Sequence, residues 1–258
     1  MNRMKAAAAT LAVALASAAT AAQAQDASDP QVSFTTGVDY SQGDYGTGVD
    51  TNILVIPASA RLKLGNLRFS ATIPYIRIDG ANVVGGDSGP IVVDPNAPRL
   101  KRDGLGDLSL GANYAFPEEQ LGFGLDLGAR VKVPTADDGL GTGKTDFRFS
   151  GEVSKTLGAV TPFVSVGYRL IGDPEGVDLD NALFGSAGVS VASGPSVFLL
   201  SYDYRQSANR LTPDSHEMFG AFSAPLSKRV NLTLYGSAGL SDGAPDFGVG
   251  AAVSLIAF

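Results

Sequence analysis

The amino-acid sequence predicts an all-β protein, a membrane-spanning antiparallel up-and-down β-barrel of about 12 strands. Apolar and polar residues alternate with a period of two along most of the chain, as they do in strands with one apolar and one polar face. Short turns alternate with long polar connections, and the first residues have the character of an export signal. Together these observations favour an outer-membrane barrel over a soluble β-sandwich, which would not sort its connections by length.

The N-terminus predicts a secretory signal peptide over residues 1–24, which leaves residues 25–258 for the barrel. Arg3 and Lys5 supply a charged start, an Ala-rich apolar run follows, and Ala22-Gln23-Ala24 fits an A-x-A cleavage site. No later run reaches the roughly 18 apolar residues that a membrane helix needs. The chain has no cysteine, which excludes a small secreted fold held by disulfides.

The mature chain is expected to be acidic. The whole chain has 19 basic and 26 acidic residues, so removal of Arg3 and Lys5 leaves 17 basic residues and a net charge of −9. This charge argues against nucleic acid as a partner. A single histidine and no cysteine predict no soft metal site, and we expect no cofactor.

Alternation continues almost to the last residue and predicts twelve strands. Between Leu121 and Val133, for example, the odd positions are apolar and the even positions are Gly, Asp, Arg or Lys. The predicted strands cover residues 33–42, 51–64, 67–78, 105–116, 121–133, 144–156, 160–171, 177–192, 196–205, 215–224, 229–240 and 246–258.

The connections and the aromatic residues both distinguish two ends of the barrel. In outer-membrane barrels the turns are short on the periplasmic side and the loops are longer outside the cell, and aromatic girdles mark both interfaces. Here the longer connections cover residues 43–50, 79–104, 134–143, 172–176, 206–214 and 241–245. The outward-facing aromatic residues are Tyr40, Tyr75, Tyr168, Tyr202 and Tyr204 towards the long loops, and Tyr114, Phe116 and Phe123 towards the short turns.

The last strand has two notable features. Phe258 has the position of the terminal aromatic residue of bacterial barrel proteins, which predicts recognition by the barrel-assembly machinery. Leu255 and the apolar residues before it share one parity, whereas Ile256 and Phe258 share the other. A β-bulge near Ser254 would bring both sets to one face.

The run GLGTGKT at residues 139–145 contains the second half of a phosphate-binding P-loop. The first glycine of that motif would fall at position 138, which is Asp138, and no helix is predicted after Lys144. Both flanking segments alternate as strands do. We therefore interpret the run as a loop between antiparallel strands, with glycines at positive φ and Lys144 at the rim or in the lumen.

Two segments, GLGDLSLGANYAF (104–116) and RVKVPTADDGLGTGKTDFRFS (130–150), resemble the proteobacterial outer-membrane transporter-like proteins named for the MetA pathway of phenol degradation. Members have a Gly-Leu-Gly-Asp strand, a Pro-Thr-Gly-type loop, a Leu-Gly-Thr-Gly run and a strand starting near an Asp. The resemblance covers the central quarter to third of the chain and implies a barrel with a transport role. The matching residues are Gly104 to Asp107, Pro134-Thr135, Leu140 to Gly143 and Asp146, while Ala136 stands where the family more often has Gly.

Charged residues on the polar parity of the predicted strands would line the lumen. Opposing acids and bases select solutes in pores, whereas the same charges paired across the lumen would stiffen the barrel, and the sequence leaves both interpretations open. Strand direction places Arg61, Asp126 and Glu152 nearer the short turns and the others nearer the long loops. The candidate pore-lining residues are Arg61, Asp107, Asp126, Arg130, Lys132, Asp146, Arg148, Glu152, Arg169, Asp203, Arg205 and Glu217.

The longest connection, Asp79 to Gly104, is predicted to constrict the barrel mouth. It exceeds the ordinary loop length, carries apolar residues that are poorly suited to water, and contains prolines that stiffen it. Packing against neighbouring loops or lipopolysaccharide is the alternative. The candidate constriction residues are Val83, Val84, Ile91, Val92 and Val93.

These features predict a channel or transporter for small solutes, including apolar or aromatic ones, surrounded by outer-membrane lipid and lipopolysaccharide. A non-conducting structural or surface-interaction barrel is the alternative, and a surface lipase that uses His216 is a third hypothesis. No Ser-Asn-Gly signature follows His216, so we expect no catalytic residue. The acidic residues that could hold Ca²⁺, or more simply form a solvated loop, are Asp173, Glu175, Asp178 and Asp180.

Overall fold

The structure is a computed structural model that describes residues 30–84, 91–94 and 99–257. The predicted signal peptide (1–24) and the predicted role of Phe258 lie outside the described residues. Within them the chain forms fifteen β-strands and one short helix. They are β1 Gln31–Gly43, β2 Thr51–Leu64, β3 Leu67–Gly80, β4 Asn82–Val84, β5 Ile91–Asp94, β6 Leu100–Leu105, β7 Leu108–Phe116, α1 Glu118–Leu121, β8 Gly124–Val133, β9 Asp146–Ser154, β10 Val160–Leu170, β11 Ala182–Ser193, β12 Ser196–Arg205, β13 Ser215–Pro225, β14 Val230–Gly239 and β15 Phe247–Ile256.

The wall of the barrel is closed because β1 pairs with both β2 and β15. Ser33, for example, lies opposite Arg61 on one side and Ile256 on the other. The remaining wall strands pair antiparallel with their neighbours along the chain. β6 and β7 both pair with β3 and occupy one position of the wall, which therefore has twelve positions. The predicted 12-stranded antiparallel barrel is confirmed.

The wall is interrupted between β6 and β7, at Gly106-Asp107. The register to β3 shifts by one residue here, from Tyr75 opposite Leu105 to Thr72 opposite Ser109, which is the geometry of a β-bulge. A Cβ atom on Gly106 would lie 2.5 Å from Cδ1 of Ile76 and 2.8 Å from Cγ of Pro74, so a side chain here would have to displace these neighbours on β3. The sequence-predicted strand began at residue 105 and did not include most of β6.

The two faces of the wall differ as the alternation predicts. In β8 the side chain of Leu127 is 47% exposed on the outer face, whereas Asp126 and Arg130 lie on the lumen side. Large apolar side chains are exposed in the same way on the other wall strands. An apolar outer face around a polar interior is the arrangement of a membrane barrel. In the described part of the chain, no helix has the length and apolarity needed to cross a membrane.

The last strand contains no bulge, so the expectation of one near Ser254 is wrong. β15 keeps an unbroken register with β1 through Ile256 and with β14 through Leu255. Ser254 contacts Thr35 on the lumen side at 2.8 Å, and Leu255 is exposed on the outer face. Alternation therefore continues, and Ile256 takes a lumen position.

The predicted strand 177–192 begins later in the structure, at Ala182. Leu179 and Val177 pack instead into a cluster of loop residues. The side-chain oxygen of Asn181 accepts a hydrogen bond from the backbone N–H of Ile171 at 2.9 Å, which closes this loop before the strand starts.

Candidate functional site

The strands β4 and β5 form a hairpin that is separate from the wall. Val83 lies opposite Val92, and Val84 lies opposite Ile91, in a two-stranded sheet of their own. These four predicted constriction residues are each at most 8% exposed. Val93 lies in β5, and its side chain lies outside the described part of the structure.

The hairpin crosses the barrel at the end that carries the long loops. Val83 and Val92 pack against the lumen side of β2 and β3 through Ile53, Ile76 and Ile78. Val84 and Ile91 of the hairpin pack against a second set of residues around the start of β11, namely Ile171, Leu179, Ala182 and Ala208. β11 lies five wall positions from β3 in a wall of twelve, so the two contact surfaces are on nearly opposite sides.

Two polar side chains hold the hairpin to the barrel. Arg102, on the lumen side of β6, donates hydrogen bonds to the carbonyl oxygens of Ala81 (2.8 Å) and Val83 (3.1 Å). Asn209 donates from Nδ2 to the carbonyl oxygen of Val92 at 3.1 Å. Sequence reasoning missed both anchors, because each lies in a segment interpreted as a loop and nothing local indicates what it contacts.

Strand register aligns four arginines across the lumen side of the wall. Arg148 lies directly opposite Arg130 on one neighbouring strand and Arg169 on the other. Gly111 on β7 and Ser70 on β3 lie between Arg130 and a fourth arginine, Arg61 on β2. The members of this arginine row are Arg61, Arg130, Arg148 and Arg169.

Four carboxylates form a second row, which we call the acid row. Asp126 lies opposite Glu152, Asp203 lies opposite Glu217, and serines of β10 and β11 complete the register between the two pairs. Arg68 forms a salt bridge with Asp126, and a second arginine, Arg205, does so with Glu217. Two of the four carboxylates of the acid row are therefore paired with arginines that also face the lumen.

A third group of charges is buried, and we call it the lysine cluster. Nζ of Lys132 lies 2.9 Å from the carboxylate of Asp146, 3.2 Å from that of Asp107 and 2.8 Å from the hydroxyl of Thr142. The Lys132 side chain is 1% exposed. Oδ1 of Asp107 also accepts hydrogen bonds from the backbone N–H groups of residues 135 and 136, both at 2.9 Å. The cluster thus fixes the loop between β8 and β9 to the interrupted strand.

All twelve candidate pore-lining residues lie on the lumen side of the wall, and burial divides them. Lys132, Asp107, Asp146, Arg169, Arg205 and Glu217 are buried and leave little surface for a solute. The partly exposed members are Arg61, Asp126, Arg130, Arg148, Glu152 and Asp203. Contact between any of them and a solute stays a prediction.

Aromatic rings in the lumen lie flat against glycines of the neighbouring strand. A Cβ atom on Gly167 would come within 2.1 Å of the Phe184 ring, and one on Gly250 would come within 2.1 Å of the Tyr235 ring. The guanidinium carbon of Arg148 lies 4.0 Å from the centre of the Phe184 ring, which is a cation–π contact. The glycines therefore leave room for the rings to lie against the wall.

A small cavity opens beside the hairpin. Ile91 and Val92 of the hairpin line it on one side, together with Tyr45. Arg169 and Arg205 line it from the wall. The cavity thus leads from the apolar hairpin to one end of the arginine row.

The GLGTGKT run is a loop between β8 and β9, as the alternation predicted. Gly139 and Gly143 have φ of 76° and 67°, in the left-handed region that glycine adopts without strain. Leu140 is 1% exposed and packs in the same cluster as Val83. Thr142 belongs to the lysine cluster. The run therefore packs against the hairpin through Leu140, and the element that follows it is the strand β9 and not a helix.

His216 faces outwards near the long-loop end. Its Nδ1 lies 2.5 Å from the hydroxyl of Tyr202, and its ring contacts the ring of Tyr204. Ser215 points to the lumen, where it donates to Glu217 at 3.0 Å, so it does not partner His216. Across the described ranges, no three His, Asp or Glu side chains gather as metal ligands would.

The barrel is similar in fold to known outer-membrane proteins. An outer membrane channel from Pseudomonas putida F1 is 14% identical over 91% of this chain and 99% of its own, with a TM-score of 0.67. The translocator domain of the autotransporter NalP from Neisseria meningitidis is 14% identical over 93% of this chain and 92% of its own, with a TM-score of 0.55. No curated protein matches the chain in sequence. Residues 21–256 match the sequence model of one family, so the chain belongs to the family described as the putative MetA-pathway of phenol degradation.

Proposed function

We propose that this chain is a channel or transporter that passes small solutes, including apolar or aromatic ones, through the bacterial outer membrane. The observation that carries the proposal is a closed barrel with an apolar outer face and partly exposed charges in its lumen. Twelve strands enclose a lumen between that of filled barrels of about 8 strands and that of porins with about 16–18. The similar protein of Pseudomonas putida is named a channel, which supports the same function here.

The hairpin, in this proposal, narrows the passage. It is held on two nearly opposite sides by apolar clusters and anchored by Arg102 and Asn209. A solute would pass beside it, through the cavity that Ile91 and Val92 line. The apolar surface there would favour solutes with an apolar or aromatic body.

A deletion tests this role of the hairpin. Residues 87–98 are removed and the ends are joined by Gly-Ser, and single-channel conductance is measured in planar bilayers. A constriction predicts that conductance rises severalfold, with folding checked by heat-modifiability on gels. Insertion of Gly-Ser into the exposed turn at residues 227–229, away from the hairpin, is the control and should leave conductance unchanged.

Unchanged conductance in a folded deletion protein would place the hairpin outside the passage. Absence of current through the wild-type barrel, together with absence of solute uptake by liposomes, would favour the non-conducting structural barrel instead.

The remaining partners follow from the same proposal. The exposed apolar band would contact lipid, and lipopolysaccharide would contact the long-loop end. Recognition of Phe258 by the barrel-assembly machinery stays a prediction. We propose no enzymatic activity, because His216 is engaged by Tyr202 and separated from Ser215 by the barrel wall.

A further inference from the structure

The hairpin is supported by the loop between β8 and β9 as well as by the wall. Leu140 of this loop (134–145) is 1% exposed and packs in the same apolar cluster as Val83. Arg102 donates to the carbonyl oxygen of Val83 at 3.1 Å and, through its other terminal nitrogen, to that of Gly139 at 2.9 Å. One side of the hairpin is therefore joined to the β8–β9 loop by apolar packing and by a shared arginine.

Asp107 fixes the β8–β9 loop to the interruption of the wall. Its Oδ1 accepts hydrogen bonds from the backbone N–H groups of Thr135 and Ala136, both at 2.9 Å, and its Oδ2 lies 3.2 Å from Nζ of Lys132. Lys132 in turn donates to the hydroxyl of Thr142 at 2.8 Å. The loop is thus tied to one buried carboxylate near its start and, through Lys132, near its end.

Asp137 adds a second tie to the wall, which is formed as a strand pair would be. Its backbone N–H donates to the carbonyl oxygen of Leu105 at 2.9 Å, and its carboxylate accepts from the backbone N–H of Leu105 at 2.7 Å. The carbonyl oxygen of Asp137 accepts from the backbone N–H of Leu140 at 3.0 Å. The residue that holds the loop to β6 is therefore bonded directly to the residue that packs against the hairpin.

These contacts form a continuous path from the interrupted strand to the hairpin. Proteins open locally in contiguous cooperative units. We propose that the hairpin (81–84 and 91–94) and the β8–β9 loop form one mouth cap that opens as a unit, with Asp107 as its positioning residue. Asp107 acts on the hairpin through the loop. The consequence for transport, which is that release of the mouth cap widens the passage, rests on the proposed channel function.

Hydrogen exchange of the full barrel in detergent, read by mass spectrometry, tests this coupling without requiring conductance. Asp107→Ala removes both backbone hydrogen bonds but leaves Lys132 paired with Asp146, so the wall should still fold. Amides of the loop and of the hairpin should both exchange at least about tenfold faster, because hydrogen bonds to a charged group are lost. Asp107→Asn keeps an oxygen that accepts from the loop and should restore most of the protection in both segments.

A second pair of variants lies at the exposed surface, where a substitution does not endanger folding. Asp137→Ala removes the carboxylate that accepts from Leu105 and should accelerate exchange in the loop and the hairpin by one common, smaller factor. Asp138→Ala removes the same charge from the adjacent exposed residue and should leave hairpin exchange unchanged. Wild-type exchange of the hairpin in folded Asp107→Ala or Asp137→Ala protein would overturn the proposal, as would equal effects of Asp137→Ala and Asp138→Ala.

Single-channel recording separates this inference from the channel function. In a conducting barrel, Asp107→Ala should occupy a state of higher conductance for more of the time than Asp107→Asn does. A barrel that conducts while its hairpin exchange is independent of Asp107 contradicts the inference alone. A barrel whose hairpin exchange depends on Asp107 as stated, yet which passes neither ions nor solutes, supports the mouth cap and contradicts the channel.

Discussion

The lysine cluster and the arginine row lie on the same face of the same two strands, only two residues apart. Lys132 follows Arg130 on the lumen face of β8, and Asp146 precedes Arg148 on that of β9. Yet Lys132 is 1% exposed between two carboxylates, whereas Arg130 and Arg148 are partly exposed and lie opposite each other. Lumen charges in this barrel therefore fall into two groups: a buried group that fixes a loop, and a group whose side chains stay partly exposed in the lumen.

The strongest test of this difference replaces one cation of each group. Lys132→Met leaves two buried carboxylates without their shared cation and should lower the free energy of unfolding by about 3–5 kcal/mol. Arg130→Met removes a charge that is partly exposed to water and should change the free energy of unfolding far less. Urea titration in lipid vesicles measures both, and equal losses would show that the two groups are not different in kind.

A second test compares the lumen with the outer face. Ala187 and Ser186 are neighbours near the middle of β11, and they point outwards and inwards respectively. Ala187→Arg should cost about 2–4 kcal/mol, because it exposes a charge to lipid. Ser186→Arg faces Asp203 across the lumen side and should cost much less. A larger loss for Ser186→Arg in vesicle refolding would reverse the assignment of the two faces.

Loss of the hairpin anchor should destabilise the hairpin locally and change the global free energy of unfolding less than the two changes above. Arg102→Ala removes the charged hydrogen bonds to Ala81 and Val83, each worth about 1.5–3 kcal/mol. Hydrogen exchange of the hairpin amides should accelerate while that of the wall strands stays constant. Arg99→Ala, at an exposed position nearby, is the control and should leave hairpin exchange unchanged.

An exposed ion pair in a loop should show the smallest effect. Arg210 donates two hydrogen bonds to Asp180 and holds the pKa of that carboxyl below its usual range. Any stabilisation is present above the unfolded pKa of Asp180 and is lost as pH falls through the lower folded value. Arg210→Gln should raise the pKa of Asp180 towards normal in a carboxyl NMR titration, with little change in global stability. If Arg210→Gln lowers the free energy of unfolding as much as Lys132→Met does, burial does not explain why Lys132 and Arg130 differ.

The wall could be predicted closely because its signal is local. Side chains of a strand alternate between faces, so the parity of each residue follows from its immediate neighbours. Leu127 on the outer face and Arg130 in the lumen were both placed in this way. The bulge expected near Ser254 was wrong because Ile256, although apolar, takes a lumen position at the strand end.

The candidate site could be predicted only in part. The parity of each residue placed twelve charged side chains in the lumen, and the apolar composition of the longest loop predicted that Val83 and Val92 constrict the barrel mouth. Strand direction predicted that Glu152 lies near the short turns and Glu217 near the long loops. It did not show that the two share a register row, because the strands of a barrel are tilted and a row therefore changes height around the wall. Arg102 was hidden for a similar reason, since β6 becomes a strand only by pairing with β3.

The sequence by itself determined the fold class, the number of wall strands and the face of most wall residues, because these depend on a period of two and on connection length. Only the tertiary structure decided which charges lie opposite one another and which are buried. Arg148 meets Arg130 and Arg169 through pairings with two different strands, and Lys132 is buried by a residue of the interrupted strand, Asp107. Such contacts join segments far apart in the chain, and no local pattern of residues specifies them.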